Sequence, residues 1–172
     1  DKLLLKDLIE VADGLLGDAY LKKADIIRQN PDYTQSHFDI DLKLALENNL
    51  EHNIELKSGD EVEIYSATEM LFKTDVAIYG HVFSPGRKAY RLGMEVYDLI
   101  FLGGGFENKQ HLENTYLERA EIIKWNNKDF SQKLVSFRLD SVLAGQGIAK
   151  MKINMGDEIR IYSIEEVKGL GS

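Results

Sequence analysis

Gly59-Asp60-Glu61-Val62-Glu63-Ile64-Tyr65-Ser66 returns 97 residues later as Gly156-Asp157-Glu158-Ile159-Arg160-Ile161-Tyr162-Ser163. Both octapeptides open with a Gly-Asp turn and then alternate polar and apolar side chains, the pattern of a strand with one solvated face. Upstream, Tyr20-Leu21 followed by Ala24-Asp25-Ile26-Ile27-Arg28 matches Tyr116-Leu117 followed by Ala120-Glu121-Ile122-Ile123-Lys124, at an offset of 96. Further back, Asp7-Leu8-Ile9 matches Asp98-Leu99-Ile100 at an offset of 91, and Ala12-Asp13-Gly14-Leu15 falls on Gly103-Gly104-Gly105-Phe106. Three blocks in one order, with insertions of five residues and then one in the second copy, mark an internal duplication. The duplication divides the 172 residues into units at 1–70 and 71–172.

Each block has its own physical content. Leu5, Leu8, Ile9 and Ala12 stand at i, i+3, i+4 and i+7, as do Val96, Leu99, Ile100 and Gly103. That spacing predicts a short amphipathic helix in each unit. Gly14 and the Gly103–Gly105 run are read as the helix stops, because glycine tolerates the left-handed geometry of a helix end. Ala24–Arg28 and Leu117–Trp125 read as strands. Asp75–Gly86, with its Pro85-Gly86 turn, and then Lys88–Arg91 read as a hairpin. A full unit is thus hairpin, helix, strand, strand, short helix or loop, strand. This order predicts an α+β fold in which one helix covers a small mixed sheet, the β-grasp (ubiquitin-like) arrangement. The first unit starts at its helix and lacks the opening hairpin. Its sheet is expected to present an open edge, filled by chain upstream of Asp1 or by another segment.

Composition narrows the function classes. Hydrophobic residues are 44% and charged residues 29% of the chain, as in globular proteins. No run approaches the ~18 apolar residues of a spanning helix, and a net charge of -8 argues against nucleic acid as a partner. The chain begins at Asp1 rather than Met, so a targeting segment is expected to lie outside it. With no Cys there is no disulfide or thiolate chemistry. His37, His52, His81 and His111 show no helical i, i+4 pair, so no metal site is expected and they read as surface or hairpin histidines. Ser84 sits before Pro85 without a nucleophile elbow. Gly103–Gly105 lies at the carbonyl end of its helix, the wrong end for a phosphate cradle. The densest carboxylates are Asp13/Asp18, Asp39/Asp41 and Asp60/Glu61/Glu63. Asp39, Asp41, Glu61 and Glu63 read as solvated strand faces, and Asp60 and Asp157 as solvated turn residues. No catalytic residue and no cofactor is assigned.

Val76-Ala77-Ile78-Tyr79-Gly80-His81-Val82-Phe83-Ser84-Pro85-Gly86 resembles the Val-x-Ile-x-Gly-x-Val-x-x-Pro-Gly opening of the soluble-ligand-binding β-grasp (SLBB) domain. The similarity runs on through Asp98-Leu99-Ile100 and Gly103–Gly105 and closes at Gly156-Asp157-Glu158-Ile159, and the first unit matches from Asp7 onward. Tandem SLBB domains are typical of bacterial outer-membrane polysaccharide export proteins, where they lie in the periplasm and help form a ring for capsule or exopolysaccharide. The resemblance therefore implies two tandem SLBB units acting as an oligomerisation and glycan-guiding scaffold. It implies a periplasmic location, with outer-membrane association through parts absent from this chain. The implied partners are polysaccharide, further copies of the full-length protein and an inner-membrane polysaccharide copolymerase.

Sugar C–H faces pack on aromatic rings, so Tyr33, Tyr90, Tyr116 and Trp125, near predicted loops or strand ends, are the candidate glycan contacts. Charge is uneven. Residues 1–70 hold 7 Lys and Arg against 16 Asp and Glu, whereas residues 71–172 hold 14 against 13. In a head-to-tail assembly the acidic unit of one subunit is expected to face Arg87, Lys88, Arg91 or Arg138 of its neighbour. Two other readings compete: a module that captures a small soluble ligand, and a carbohydrate-active enzyme that uses the clustered carboxylates.

Overall fold

In the computed structural model, which describes residues 2–170, the first helical stripe is buried at two of its four positions, with Leu8 half-buried and Ala12 exposed. Leu5 and Ile9, one turn apart on α1 (Leu5–Val11), are both in the core. Asp7 explains why the block begins as it does: its carboxylate accepts the Leu4 N–H at 2.9 Å and satisfies a donor at the helix start. Asp98 does the same for Glu95 at 2.8 Å.

The chain divides into two compact units, residues 1–71 and 72–172, each with its own hydrophobic core. In the first unit α1 is followed by β1 (Ala19–Gln29), β2 (Gln35–Ile40), α2 (Leu42–Leu46), β3 (Glu61–Ser66) and α3 (Ala67–Leu71). The strands form an antiparallel sheet in the order β2-β1-β3. Its core joins Leu5 and Ile9 to Ala24, Ile26, Ile40, Leu42 and Ala45.

The second unit opens with the hairpin β4 (Asp75–Gly80) and β5 (Gly86–Ala89), paired antiparallel with Ile78 opposite Gly86. There follow α4 (Val96–Gly103), α5 (Lys109–Glu113), β6 (Ala120–Trp125), β7 (Gln132–Phe137), α6 (Leu139–Leu143), β8 (Glu158–Ile161) and α7 (Ile164–Leu170). Helix α5 falls in the five-residue insertion. The sheet order is β5-β4-β8-β6-β7, with β4 parallel to β8 and the other pairs antiparallel. The chain is therefore α+β, with a three-stranded and a five-stranded sheet.

The two sheets share a plan, since β2-β1-β3 and β7-β6-β8 have the same chain order and the same antiparallel pairing. An isolated bridge joins Leu4 to Glu55 in the first unit and Glu95 to Lys152 in the second. They differ where the hairpin stands. Ile161 on β8, flanked by β4 and β6, is 0% exposed, while its counterpart Ile64 on β3 is 37% exposed. The helix stop also differs for a reason. A Cβ on Gly103 would lie 2.8 Å from Ile78 Cδ1 and 3.2 Å from Val82 Cγ1, so α4 needs glycine to close on the hairpin. Ala12, at the matching position, is exposed.

Candidate functional site

The turn carboxylates are not solvated, which corrects the sequence reading. The Asp157 carboxylate is fully buried and accepts hydrogen bonds from Trp125 N (2.8 Å), Asn154 N (2.7 Å) and the Lys124 ammonium. Asp60 matches it in the first unit, taking Lys57 N at 2.9 Å and both arms of Arg28 at 2.9 Å. The Arg28 guanidinium holds the Asp60 carboxyl below the usual carboxylate range, and Asp60 in turn raises Arg28. Each turn is thus locked to the strand two places earlier in the chain. A second repeated cluster ties the same strands at their other end. The Tyr65 hydroxyl donates to Asp25, as Tyr162 donates to Glu121 at 2.8 Å, while Lys23 and Arg119 pair with these carboxylates. Lys23, then Tyr65 and His37, pull the Asp25 carboxyl far below its ordinary value. Asp25 and Asp60, held below the ordinary range, are poor proton donors at neutral pH.

His37 is exposed on β2 and His81 lies in the β4–β5 hairpin, while His52 and His111 are half-buried, and all four rings are engaged. His81 and His111 stack with ring centroids 3.9 Å apart and planes 3° from parallel. Their Nε2 atoms lie 3.4 and 3.1 Å from each other's backbone carbonyl oxygens, so each ring donates across the pair. His52 Nδ1 accepts the Asp41 N–H at 2.9 Å, and His37 Nε2 lies 2.6 Å from Asp25.

Of the four aromatics singled out, the structure brings two together. Tyr90 and Trp125 line one cleft of ≈ 620 Å³ in the second unit. Trp125 ends β6, Tyr90 follows β5, and Asn154 and Met155 approach from the turn before β8. The β6–β7 turn forms the remaining wall. Asp129 braces it, accepting Ser131 N–H at 3.1 Å and Ser131 Oγ–H at 2.6 Å, and Phe130 takes φ 58 at its tip. Trp125 is held in place: its indole Nε1–H donates to Asn127 Oδ1 at 2.7 Å, and Lys73 Nζ sits 4.1 Å from the ring centroid. A Cβ on Gly156 would collide with the indole, so the turn backbone packs against it. Tyr90, Lys128 and Lys133 line the cleft, and the Tyr90 hydroxyl and the two ammonium groups have no protein partner among the described residues. Sequence reading missed both lysines and Asn154, because only the hairpin turn and the distant β8 turn bring them to Trp125.

Tyr33 and Tyr116 lie elsewhere. Tyr33 is 95% exposed at the tip of the β1–β2 hairpin with φ 69, the place Phe130 holds in the second unit. Tyr116 is half-buried ahead of β6, at the end opposite Trp125, with its hydroxyl 3.5 Å from Glu118. The basic candidates are surface residues in different settings. Arg87 Nε is 3.6 Å from Asp75, Arg138 forks onto Asp140 at 3.1 and 2.8 Å, and Lys88 donates to Ser84 Oγ at 2.8 Å. Arg91 has no side-chain partner among the described residues.

Among the described residues no helix is long and apolar enough to cross a membrane. No protein-family model matches the chain, and no curated protein matches it in sequence.

Proposed function

We propose that this chain is a periplasmic module of a capsular or exopolysaccharide export protein, a scaffold that assembles with further copies and guides the glycan. Each unit is read as an SLBB domain of the β-grasp type, the first short of its opening hairpin. The observation that carries the glycan role is the convergence of Tyr90 and Trp125 with Lys128 and Lys133, both unpaired among the described residues, in one cleft. Aromatic faces suit sugar C–H groups, the Asn154 side chain and the Tyr90 hydroxyl suit ring hydroxyls, and two ammonium groups favour a glycan that carries carboxylates. The repeated carboxylates support a scaffold over an enzyme, since Asp25, Asp60, Glu121 and Asp157 are all engaged in holding strands.

Trp125 is the one tryptophan of the chain and reports on this cleft directly. Titration of the full chain with hyaluronan oligosaccharides is expected to change its fluorescence, and neutral malto-oligosaccharides to change it less. Tyr90→Ala and Lys128→Glu/Lys133→Glu are each expected to weaken the response about tenfold. An unaltered Trp125 spectrum at millimolar oligosaccharide, or cleavage of the oligosaccharide that depends on a single carboxylate, would overturn the reading.

A further inference from the structure

The one-residue insertion of the second copy lies in the β6–β7 turn, at the Trp125 cleft. Asn30 matches Asn126 at an offset of 96 and Asp32 matches Asp129 at 97, so Pro31 of the first unit stands where the second has Asn127-Lys128. Gln29 stands in the place of Trp125. Both turns nevertheless close in the same way. Asn30 N–H donates to Thr34 O at 2.8 Å and Asn126 N–H to Ser131 O at 3.0 Å, while Asp32 accepts from Thr34 as Asp129 accepts from Ser131. Closing the turn therefore does not require Asn127, and its side-chain hydrogen bonds go elsewhere.

Asn127 engages two partners at once. Its Oδ1 accepts the indole Nε1–H of Trp125 at 2.7 Å and the backbone N–H of Lys73 at 2.9 Å, and its Nδ2 donates to the Lys73 carbonyl at 2.8 Å. Lys73 belongs to the segment 72–74 that joins α3 to β4. Phe72, Lys73 and Thr74 are exposed, and among the described residues the two bonds to Asn127 are the only hydrogen bonds this segment makes. The Lys73 ammonium adds its contact with the Trp125 ring and has no carboxylate partner among the described residues. The segment is thus held through one amide that also lines the cleft. Both lone pairs of Oδ1 and one Nδ2–H of that amide are in use, and the second Nδ2–H has no protein partner among the described residues.

We propose that Asn127 is a positioning residue that couples the Trp125 cleft to the segment 72–74: a ligand seated against Trp125 and Asn127 tightens the segment, and release of the segment loosens the cleft. The ligand half of this coupling rests on the glycan reading above; the link between Trp125 and the segment does not. A segment so exposed and so sparsely bonded opens locally at low cost, which supplies a second state. In that state Asn127 has lost its backbone partners and the indole has lost the ammonium on its face, so both side chains regain rotamers that a ligand must freeze again. A ligand therefore binds the latched state more tightly, and by linkage it favours that state by the same factor.

The test reads Trp125 and the Lys73 amide separately, on the full chain. Without ligand, Lys73→Pro, which removes the N–H that Asn127 accepts, and Asn127→Ala are each expected to move the Trp125 emission to longer wavelength and to raise its quenching by acrylamide. Lys73→Arg, which keeps the N–H and the cation, is expected to rescue the parent spectrum, and far-UV circular dichroism checks the fold of each variant. Trp125→Phe, which leaves Asn127 and Lys73 in place, is expected to speed solvent exchange of the Lys73 amide about tenfold, read by NMR. Saturating hyaluronan oligosaccharide is expected to slow the same exchange about tenfold in the parent chain, and Lys73→Pro to bind the oligosaccharide about tenfold more weakly. Emission unmoved by both Lys73→Pro and Asn127→Ala, or exchange at Lys73 indifferent to Trp125→Phe, would overturn the link. An oligosaccharide that changes Trp125 fluorescence yet leaves exchange at Lys73 unchanged would overturn the coupling to ligand. If no oligosaccharide moves Trp125 at all, the glycan reading fails, and the ligand-free measurements still decide the link.

Discussion

Asp157 shows how much a single side chain carries in this fold. Its carboxylate is fully buried, and Asp157→Ala would leave two backbone donors without their acceptor and the Lys124 ammonium with the Lys152 carbonyl but no counter-charge. The expected loss is about 3 kcal/mol, read from urea denaturation, because breaking a buried pair strands the remaining charge. Acid acts on related groups. Asp25 and Asp60 titrate below their ordinary value, through Lys23 and Arg28 respectively, so the native state binds fewer protons than the unfolded chain. Their stabilisation is complete above the unfolded pKa and is lost as pH falls through the native one. His111 lies below its ordinary 6.5, chiefly through burial and next through His81, so the unfolded chain protonates first here too. Stability is therefore expected to fall in two stages on acidification, from about pH 6.5 and again below about pH 4. Urea midpoints measured across pH check this, and His111→Gln is expected to remove the first stage. A flat profile down to pH 5 would show that the stacked histidines contribute nothing.

At the scale of elements, the duplication supplies its own controls. Gly59 and Gly156 hold the same turn with φ 87 and 91, but a Cβ on Gly59 meets open space while one on Gly156 meets Trp125. Gly59→Ala is expected to cost about 1–2 kcal/mol from left-handed strain alone. Gly156→Ala adds an overpacking cost of about 1–3 kcal/mol and should shift the Trp125 emission, which Gly59→Ala should leave unchanged. Strands β3 and β8 form a second matched pair. β8 lies between β4 and β6, whereas β3 pairs with β1 alone. Amides of β3 are expected to exchange with deuterium faster than those of β8, because a strand held on one side opens at lower cost. Equal protection would mean that something else covers the β3 edge in solution.

For the whole molecule, two separate cores imply two unfolding steps. The first unit joins seven buried apolar residues in its core and the second joins fifteen, so the first is expected to unfold at lower urea. Asp60→Ala should move the first transition and Asp157→Ala the second; one transition moved by both would show the units to be coupled. The α+β class, the paired helices and strands and the β4–β5 hairpin were legible in the sequence, because spacings of two and of three to four residues record which side chains of a local segment share a face. The closing helices α3 and α7 were not anticipated, since Ala67–Leu71 and Ile164–Leu170 are short and carry no contrasting stripe. Only the tertiary structure decided that Asp60 and Asp157 are buried, because burial depends on Arg28 and Lys124 arriving from a strand some thirty residues earlier. It also decided that Trp125 meets Tyr90 and two lysines while Tyr33 and Tyr116 stand apart, and that Tyr97, Phe101 and Leu102 face outward. Periodicity is a property of neighbours in the chain, whereas a site is set by the register in which distant strands and turns come together, and that register is fixed by the packed core.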